Sequence, residues 1–139
     1  MICHKHKVQY YETDKMGITH HSNYIRWMEE ARTSFFEVIG YPYDEFEKLG
    51  AFSPVVSLSC DYRDTTTYCD EIETDVEIIA YNGLRMKVSY IMTKATDGKL
   101  VFRATSDHCF IKKEGGIVRV NRTYPELHEK LLSMIKTEE

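Results

Sequence analysis

The chain has 139 residues, 42% hydrophobic and 29% charged, with a net charge of −4. That length suits one domain that buries its own core, and the composition excludes a disordered chain. The acidic balance argues against a general nucleic-acid surface, and no window reaches the roughly 18 apolar residues of a membrane span.

The first residues, M-I-C-H-K-H-K, lack the apolar run of a signal peptide. The four cysteines (Cys3, Cys60, Cys69, Cys109) are scattered without a C-x-x-C pair, which reads as reduced thiols in a cytoplasmic protein. Cys3, His4 and His6 offer metal-binding atoms, but no fourth ligand is evident and a frayed terminus is expected there. No metal and no cofactor is implied.

Val8 to Tyr11 reads as a short strand. It leads into a polar stretch, E-T-D-K-M-G-I-T-H-H, that carries Asp14 and Gly17. Tyr24, Met28, Ala31, Phe35 and Val38 then recur by steps of four and three and so share one helical face. Ser22 is placed to cap the start of that helix, and Gly40 to end it with positive φ. Asp14 thus lies one short loop ahead of a helix N-terminus, where amides and the helix dipole can hold a developing oxyanion. A carboxylate beside an oxyanion site is what acyl transfer requires.

Pro42 to Gly50 reads as a short helix or two turns, with Pro42 in its first turn. From Pro54 the period becomes two. Val56, Leu58, Cys60 and Tyr62 alternate with polar residues, as in a half-buried strand. Glu71 to Ala80 alternates more cleanly, with Ile72, Thr74, Val76, Ile78 and Ala80 on one face, and Met86, Val88, Tyr90 and Met92 continue the set. A two-residue Asn82-Gly83 loop would pair Ile78 with Lys87 and mismatch the faces, so a three-residue loop Tyr81-Asn82-Gly83 is expected. It pairs Ile78 with Met86, Val76 with Val88 and Glu77 with Lys87. A second three-residue loop at Thr96-Asp97-Gly98 pairs Met92 with Phe102 and Tyr90 with Ala104. Phe102, Ala104, Ser106, His108 and Phe110 then line the inner face of a strand from Leu100 to Lys112. A turn at Glu114-Gly115-Gly116 enters a short strand, Ile117 to Val120. Pro125 opens a last helix with Leu127, Leu131, Leu132 and Ile135 on its apolar side. One apolar helix and one single-faced sheet want each other. The fold class is α+β, an antiparallel sheet wrapped on a long central helix, in a single domain over residues 1–139.

The pattern Y-x-x-T-D-x-x-G-x-x-x-H-x-x-Y, at Tyr10, Thr13, Asp14, Gly17, His21 and Tyr24, followed by a helix and antiparallel strands, resembles the hotdog-fold acyl-CoA thioesterases. More narrowly it is similar to the 4-hydroxybenzoyl-CoA thioesterase and YbgC-like group, from about Val8 to about Leu132. The resemblance implies a sheet curled around the helix, and a homodimer with joined sheets and active sites at the interface; a homotetramer stays open. It implies Asp14 as nucleophile or general base and the His21 amide as oxyanion donor, with the His21 ring and Tyr10 as helpers in some members. Gly17 and Tyr24 fall on the substrate side. The substrate would be an acyl-CoA or acyl-carrier thioester, hydrolysed to thiol and carboxylic acid. One departure is the absence of a proline in Asp64–Tyr68, before Asp70-Glu71, so an acyl preference does not carry over.

Thioester carbonyls are electrophilic and thiolates leave well, so a carboxylate, a water and an oxyanion donor suffice. Bland readings stand beside the sharp ones. Asp14 can be a turn residue bonding its own backbone, Tyr10 a core tyrosine, Gly17 a plain turn glycine and His21 a capping residue. Glu12 reads as solvated, His20 as a bystander and His108 as a core histidine. Arg63, Arg85, Lys112, Lys113 and Arg122 are candidates for the CoA phosphates by residue type only. The rival function is a hotdog protein that binds an acyl ligand without turnover. A hotdog dehydratase fits less well, because it wants a His on a sheet-side loop.

Overall fold

A computed structural model describes residues 2–135. Its strands are β1 (Ile2–Lys7), β2 (Ala51–Phe52), β3 (Val55–Tyr62), β4 (Glu71–Tyr81), β5 (Arg85–Lys94), β6 (Leu100–Cys109) and β7 (Ile111–Lys112). Its helices are α1 (Ser22–Val38), α2 (Tyr43–Leu49), α3 (Val120–Thr123) and α4 (Pro125–Met134). Five strands form one antiparallel sheet in the order β1-β4-β5-β6-β3, and β2 pairs with β7 in a separate ribbon. The α+β class with an antiparallel sheet is therefore as expected.

The core forms where the apolar stripe of α1 meets the inner face of the sheet. Tyr24, Trp27, Met28, Ala31 and Phe35 from α1 are buried together with Ile72, Val76, Ile78, Val88, Tyr90, Met92 and Phe102. Val38, expected on that stripe, is 65% exposed, and Phe36 and Ile39 are buried in its place. α2 packs beside the C-terminal part of α1, where Phe36 meets Phe46 edge-on at 5.4 Å. Two side chains there claim the flank facing α2, and the stripe drifts by one residue. Gly40 has φ 95° and Gly50 φ 72°, so both end their helices in the left-handed region as expected. Pro42 is the N-cap of α2 rather than a residue of its first turn. In α4, Pro125 takes the first position, Leu127 and Leu131 are buried, and Leu132 is largely exposed.

Four further expectations need correction. The N-terminal segment is a paired strand, not a frayed end: Ile2 to Lys7 run antiparallel to Val76 to Glu71, while Met1 lies outside the described residues. Its alternation puts His4 and His6 on the inner side and Cys3 on the outer, which splits the suggested metal cluster. Val8 to Tyr11 is not a strand; Tyr10–Glu12 form a 3₁₀ turn. Ile117 makes only an isolated bridge to Ile111, and Val120 opens α3. β3 is exposed on both faces, with Val55, Val56, Leu58 and Tyr62 among its open apolar side chains.

The β4–β5 register also differs. Asn82 closes on Arg85, its side-chain oxygen accepting from the amides of Leu84 (3.0 Å) and Arg85 (2.8 Å). This two-residue Gly83-Leu84 loop sets Tyr81 opposite Met86. Continued without interruption, it would send the apolar set to the wrong face. A bulge at Ile79 absorbs the odd residue, and below it Ile78 pairs with Val88, Val76 with Tyr90 and Glu77 with Ser89. The β5–β6 hairpin pairs Met92 with Phe102 and Tyr90 with Ala104, as expected. Phe102, Ala104, Ser106, His108 and Phe110 are all buried.

Candidate functional site

The loop from Thr13 to His21 is shaped by its own short-range bonds. The Asp14 amide donates to the Ile18 carbonyl (2.8 Å), and the Gly17 amide donates back to the Asp14 carbonyl (3.0 Å). The Met16 amide donates to Asp14 Oδ1 (2.8 Å), so one carboxylate oxygen is fixed in an Asx turn. Gly17 has φ 80°, a conformation this turn needs and an L side chain resists. Asp14 is therefore a turn residue, and the turn holds its carboxylate in one orientation while leaving Oδ2 outside that bond.

The loop is stapled to the segment between β3 and β4. Thr67 Oγ1 donates to the Gly17 carbonyl (2.8 Å), and the Thr19 amide donates to the Thr66 carbonyl (2.8 Å). The Thr19 and Thr66 hydroxyls are 2.6 Å apart. The Tyr24 hydroxyl lies 3.0 Å from Thr66 Oγ1. Burial pushes the Tyr24 phenol up, so it keeps its proton and can donate. Tyr24 is buried at 3% exposure, stacked on Phe102 at 5.2 Å. Its hydroxyl holds the Thr65–Thr67 run, which contributes the loop's second wall.

The helix start differs from expectation. His21, not Ser22, is the N-cap of α1, and Ser22 is the first helical residue. His20 acts as the side-chain cap. Its Nδ1 accepts from the Ser22 amide (3.3 Å) and sits 2.9 Å from Ser22 Oγ, so it is more than a bystander. The His21 carbonyl accepts from the Tyr62 hydroxyl (3.2 Å). Among the described residues, none accepts a hydrogen bond from the His21 amide. The His21 ring is exposed, stacked on His20 at 4.4 Å and edge-on to Tyr62 at 6.2 Å. Tyr10 is 73% exposed, its ring 6.0 Å from that of Tyr68. It is not a core tyrosine. Tyr11, Met16 and Tyr68 are likewise exposed.

Beneath the loop lies Glu12, whose place beside an expected strand end reads as solvated. It is 6% exposed. Its carboxylate meets the Gln9 amide (2.8 Å), His6 Nε2 (2.8 Å) and Trp27 Nε1 (2.7 Å). Its carbonyl accepts from the His20 amide (2.8 Å) and Asn23 Nδ2 (2.9 Å). Burial alone would raise the Glu12 pKa; the Gln9 amide, His6 and Trp27 outweigh it and hold the carboxyl below its ordinary value. His4 and His6 meet Glu30 at 3.1 and 3.0 Å, so both are engaged by carboxylates. Among the described residues, no group of three His, Cys, Asp or Glu side chains can hold a metal ion. The candidate CoA contacts Arg63, Arg85, Lys112, Lys113 and Arg122 are all exposed, and Arg63 directly follows Tyr62.

The fold that carries this loop and helix start is shared with known proteins. A model of the thioesterase-like superfamily matches residues 8–133. The chain belongs to the thioesterase-like superfamily. Relatives within this family cover most of it. It is 34% identical over 123 residues to YneP of Bacillus subtilis, a proposed acyl-CoA thioesterase, covering 88% of each chain. It is 33% identical over 126 residues to a proposed esterase of Aquifex aeolicus, covering 91% of this chain and 96% of that one. Its fold superposes on a DHNA-CoA thioesterase of Staphylococcus aureus with a TM-score of 0.88 at 29% identity, over 94% of this chain and 88% of that one. Its structural neighbours are hotdog thioesterases, so the expected family and enzyme class, a thioester hydrolase, both stand.

Proposed function

We propose that the protein is a cytoplasmic acyl-CoA thioesterase of one domain, active as a homodimer. Its sheet curls about α1, as in the hotdog fold. Asp14 acts as general base or nucleophile, and the His21 amide receives the oxyanion. Support comes above all from one juxtaposition. One loop ahead of α1 in the chain, the Met16 amide holds the Asp14 carboxylate, and the His21 amide at the start of α1 has no acceptor among the described residues. The named relatives support the substrate class: one is by name a proposed acyl-CoA thioesterase, another a DHNA-CoA thioesterase.

In the general-base route Asp14 takes a proton from water as the oxygen attacks the thioester carbon. Negative charge grows on the carbonyl oxygen and is met by the His21 amide. The C–S bond breaks, and the thiolate leaves and is protonated, giving CoA and a carboxylic acid. In the nucleophilic route Asp14 itself attacks and water then hydrolyses the anhydride. Tyr10 and the His21 ring sit at the open edge as helpers. Gly17 gives the substrate a close approach, and Tyr24 shapes the floor through Thr66.

A dimer is supported by β3. It is an edge strand with free backbone groups and exposed Val55, Val56, Leu58 and Tyr62, which a second copy can pair and cover. No helix among the described residues is long and apolar enough to cross a membrane.

The test is CoA release from a panel of short, long and aromatic acyl-CoAs, with Asp14→Ala beside wild type. Release by wild type, and loss of about a hundredfold or more in the variant with its fold intact, is expected. Wild-type rates in Asp14→Ala would remove Asp14 from the mechanism. Tight binding without release would favour a ligand-binding protein.

A further inference from the structure

A cavity of about 290 Å³ lies between the C-terminal half of α1, α2 and the segment joining β2 to β3. Phe36, Tyr41, Phe46 and Phe52 give it aromatic walls, and Arg32 brings a positive charge among them. Arg32 is half-buried and, among the described residues, forms no ion pair. Its Nη1 donates to the Tyr90 hydroxyl (3.1 Å).

That bond begins a chain whose direction can be worked out. Tyr90 Oη lies 2.7 Å from Ser106 Oγ, which lies 2.7 Å from His108 Nε2, and His108 Nδ1 lies 3.1 Å from the Ser53 carbonyl. A carbonyl only accepts, so His108 Nδ1 carries the hydrogen. Burial, and after it the Arg32 charge, hold the imidazole below its ordinary pKa against the pull of the Ser53 carbonyl, so Nε2 is an acceptor. Ser106 then donates to His108, Tyr90 to Ser106 and Arg32 to Tyr90. Every hydrogen runs away from the guanidinium. The chain fixes Arg32 in place and supplies no negative charge to it. A guanidinium positioned in this way on apolar walls selects an anion, and its planar fork matches a carboxylate. Ser53, also in the lining, has a buried hydroxyl without a partner among the described residues, and a turn about χ1 would offer it to a ligand oxygen.

The place of the cavity rests on the thioesterase and dimer reading above. Arg32 is ten positions beyond Ser22 on α1, about 15 Å at the helical rise. A compact acyl group bound at His21 does not span that within one chain. β3 closes the gap. Paired antiparallel with its own copy about a two-fold at Leu58, it sets Val55 of one copy opposite Asp61 of the other, and Pro54 beside Tyr62. Ser53 and Pro54, which line the cavity, directly precede Val55, and Tyr62 bonds the His21 carbonyl. The cavity of one copy then opens beside the thioester site of the other. We infer that this cavity is the acyl pocket for the partner's site, and that the acyl group it takes is compact and ends in a carboxylate paired with Arg32. The substrate class is the CoA monothioester of a dicarboxylic acid.

The test compares kcat/KM for 4-carboxybenzoyl-CoA with benzoyl-CoA, and for glutaryl-CoA with pentanoyl-CoA. Wild type, Arg32→Met and Tyr90→Phe are each measured on all four. Wild type should favour the carboxylated member by about tenfold or more, the scale of a charge-assisted hydrogen bond. Arg32→Met should bring the ratio to about one, and Tyr90→Phe, which loosens the guanidinium without removing it, should lower it part-way. Each ratio is internal to one protein, so loss of folded enzyme cancels. Equal or faster hydrolysis of the uncharged members by wild type would overturn the acyl assignment and leave thioester hydrolysis standing. No release from any of the four would overturn both. The shared site is tested by mixing Asp14→Ala chains with Thr33→Trp chains, whose bulk fills the cavity. Activity recovered on refolding the two together supports it, and failure to recover any overturns it.

Discussion

A buried carboxylate under a surface loop is unusual unless several groups compensate it, and Glu12 has them. Three donors surround its oxygens, and its own carbonyl holds His20 and Asn23 at the helix start. Glu12→Gln keeps the shape and removes the charge. It should cost about 2 kcal/mol of stability at neutral pH, the scale of hydrogen bonds to a charged group; urea unfolding measures it. The pH dependence follows from the lowered pKa. The charge contributes fully above the ordinary carboxylate range, and the contribution is lost as pH falls through the folded value. The stability gap between wild type and Glu12→Gln should therefore narrow on acidification. A gap that stays constant would mean that the charge is not what stabilises. From sequence, Glu12 and Asp14 were two acids in one polar run. Only the fold put the first against Trp27 and the second in an open turn.

At the scale of elements, periodicity carried α1, β4, β5 and β6, because each has one buried face and a two- or 3.6-residue repeat. It misjudged the β4–β5 register, because parity alone cannot tell a three-residue loop from a two-residue loop with a bulge. It also took β3 as half-buried, since an alternating pattern does not say what covers the strand. The turn is testable. Gly83 has φ 90°, and a Cβ added there would meet Asn121 Oδ1 at 3.1 Å. Gly83→Ala should destabilise by about 1–2 kcal/mol, read as a lower urea midpoint. Gly17→Ala meets nothing within 4 Å and pays only the backbone strain at φ 80°, yet it lies on the Asp14 turn. Its larger effect is expected on kcat.

The whole molecule leaves one sheet edge, β3, open and apolar. Leu58→Asp places a charge at the middle of the proposed seam, where pairing about a two-fold would oppose it to the same charge on the second copy. Wild type should elute as at least a dimer on sizing. The variant should shift toward monomer and lose activity along with it, while its circular dichroism stays unchanged. An active monomer would overturn the interface reading. The same edge decides whether the Arg32 cavity and the Asp14 loop belong to one site.

Read alone, the sequence determined the α+β class, the main helix, the second hairpin and the motif from Tyr10 to Tyr24, because local spacing and side-chain chemistry specify them. Tertiary structure decided the rest. It paired the N-terminal strand, buried Glu12, made Thr66 and Thr67 the staples of the loop, and left Arg32 positioned without a counter-charge among the described residues. Those outcomes depend on contacts between elements, from Glu12 and Trp27, 15 positions apart, to Arg32 and Tyr90, 58 apart, which no local pattern encodes.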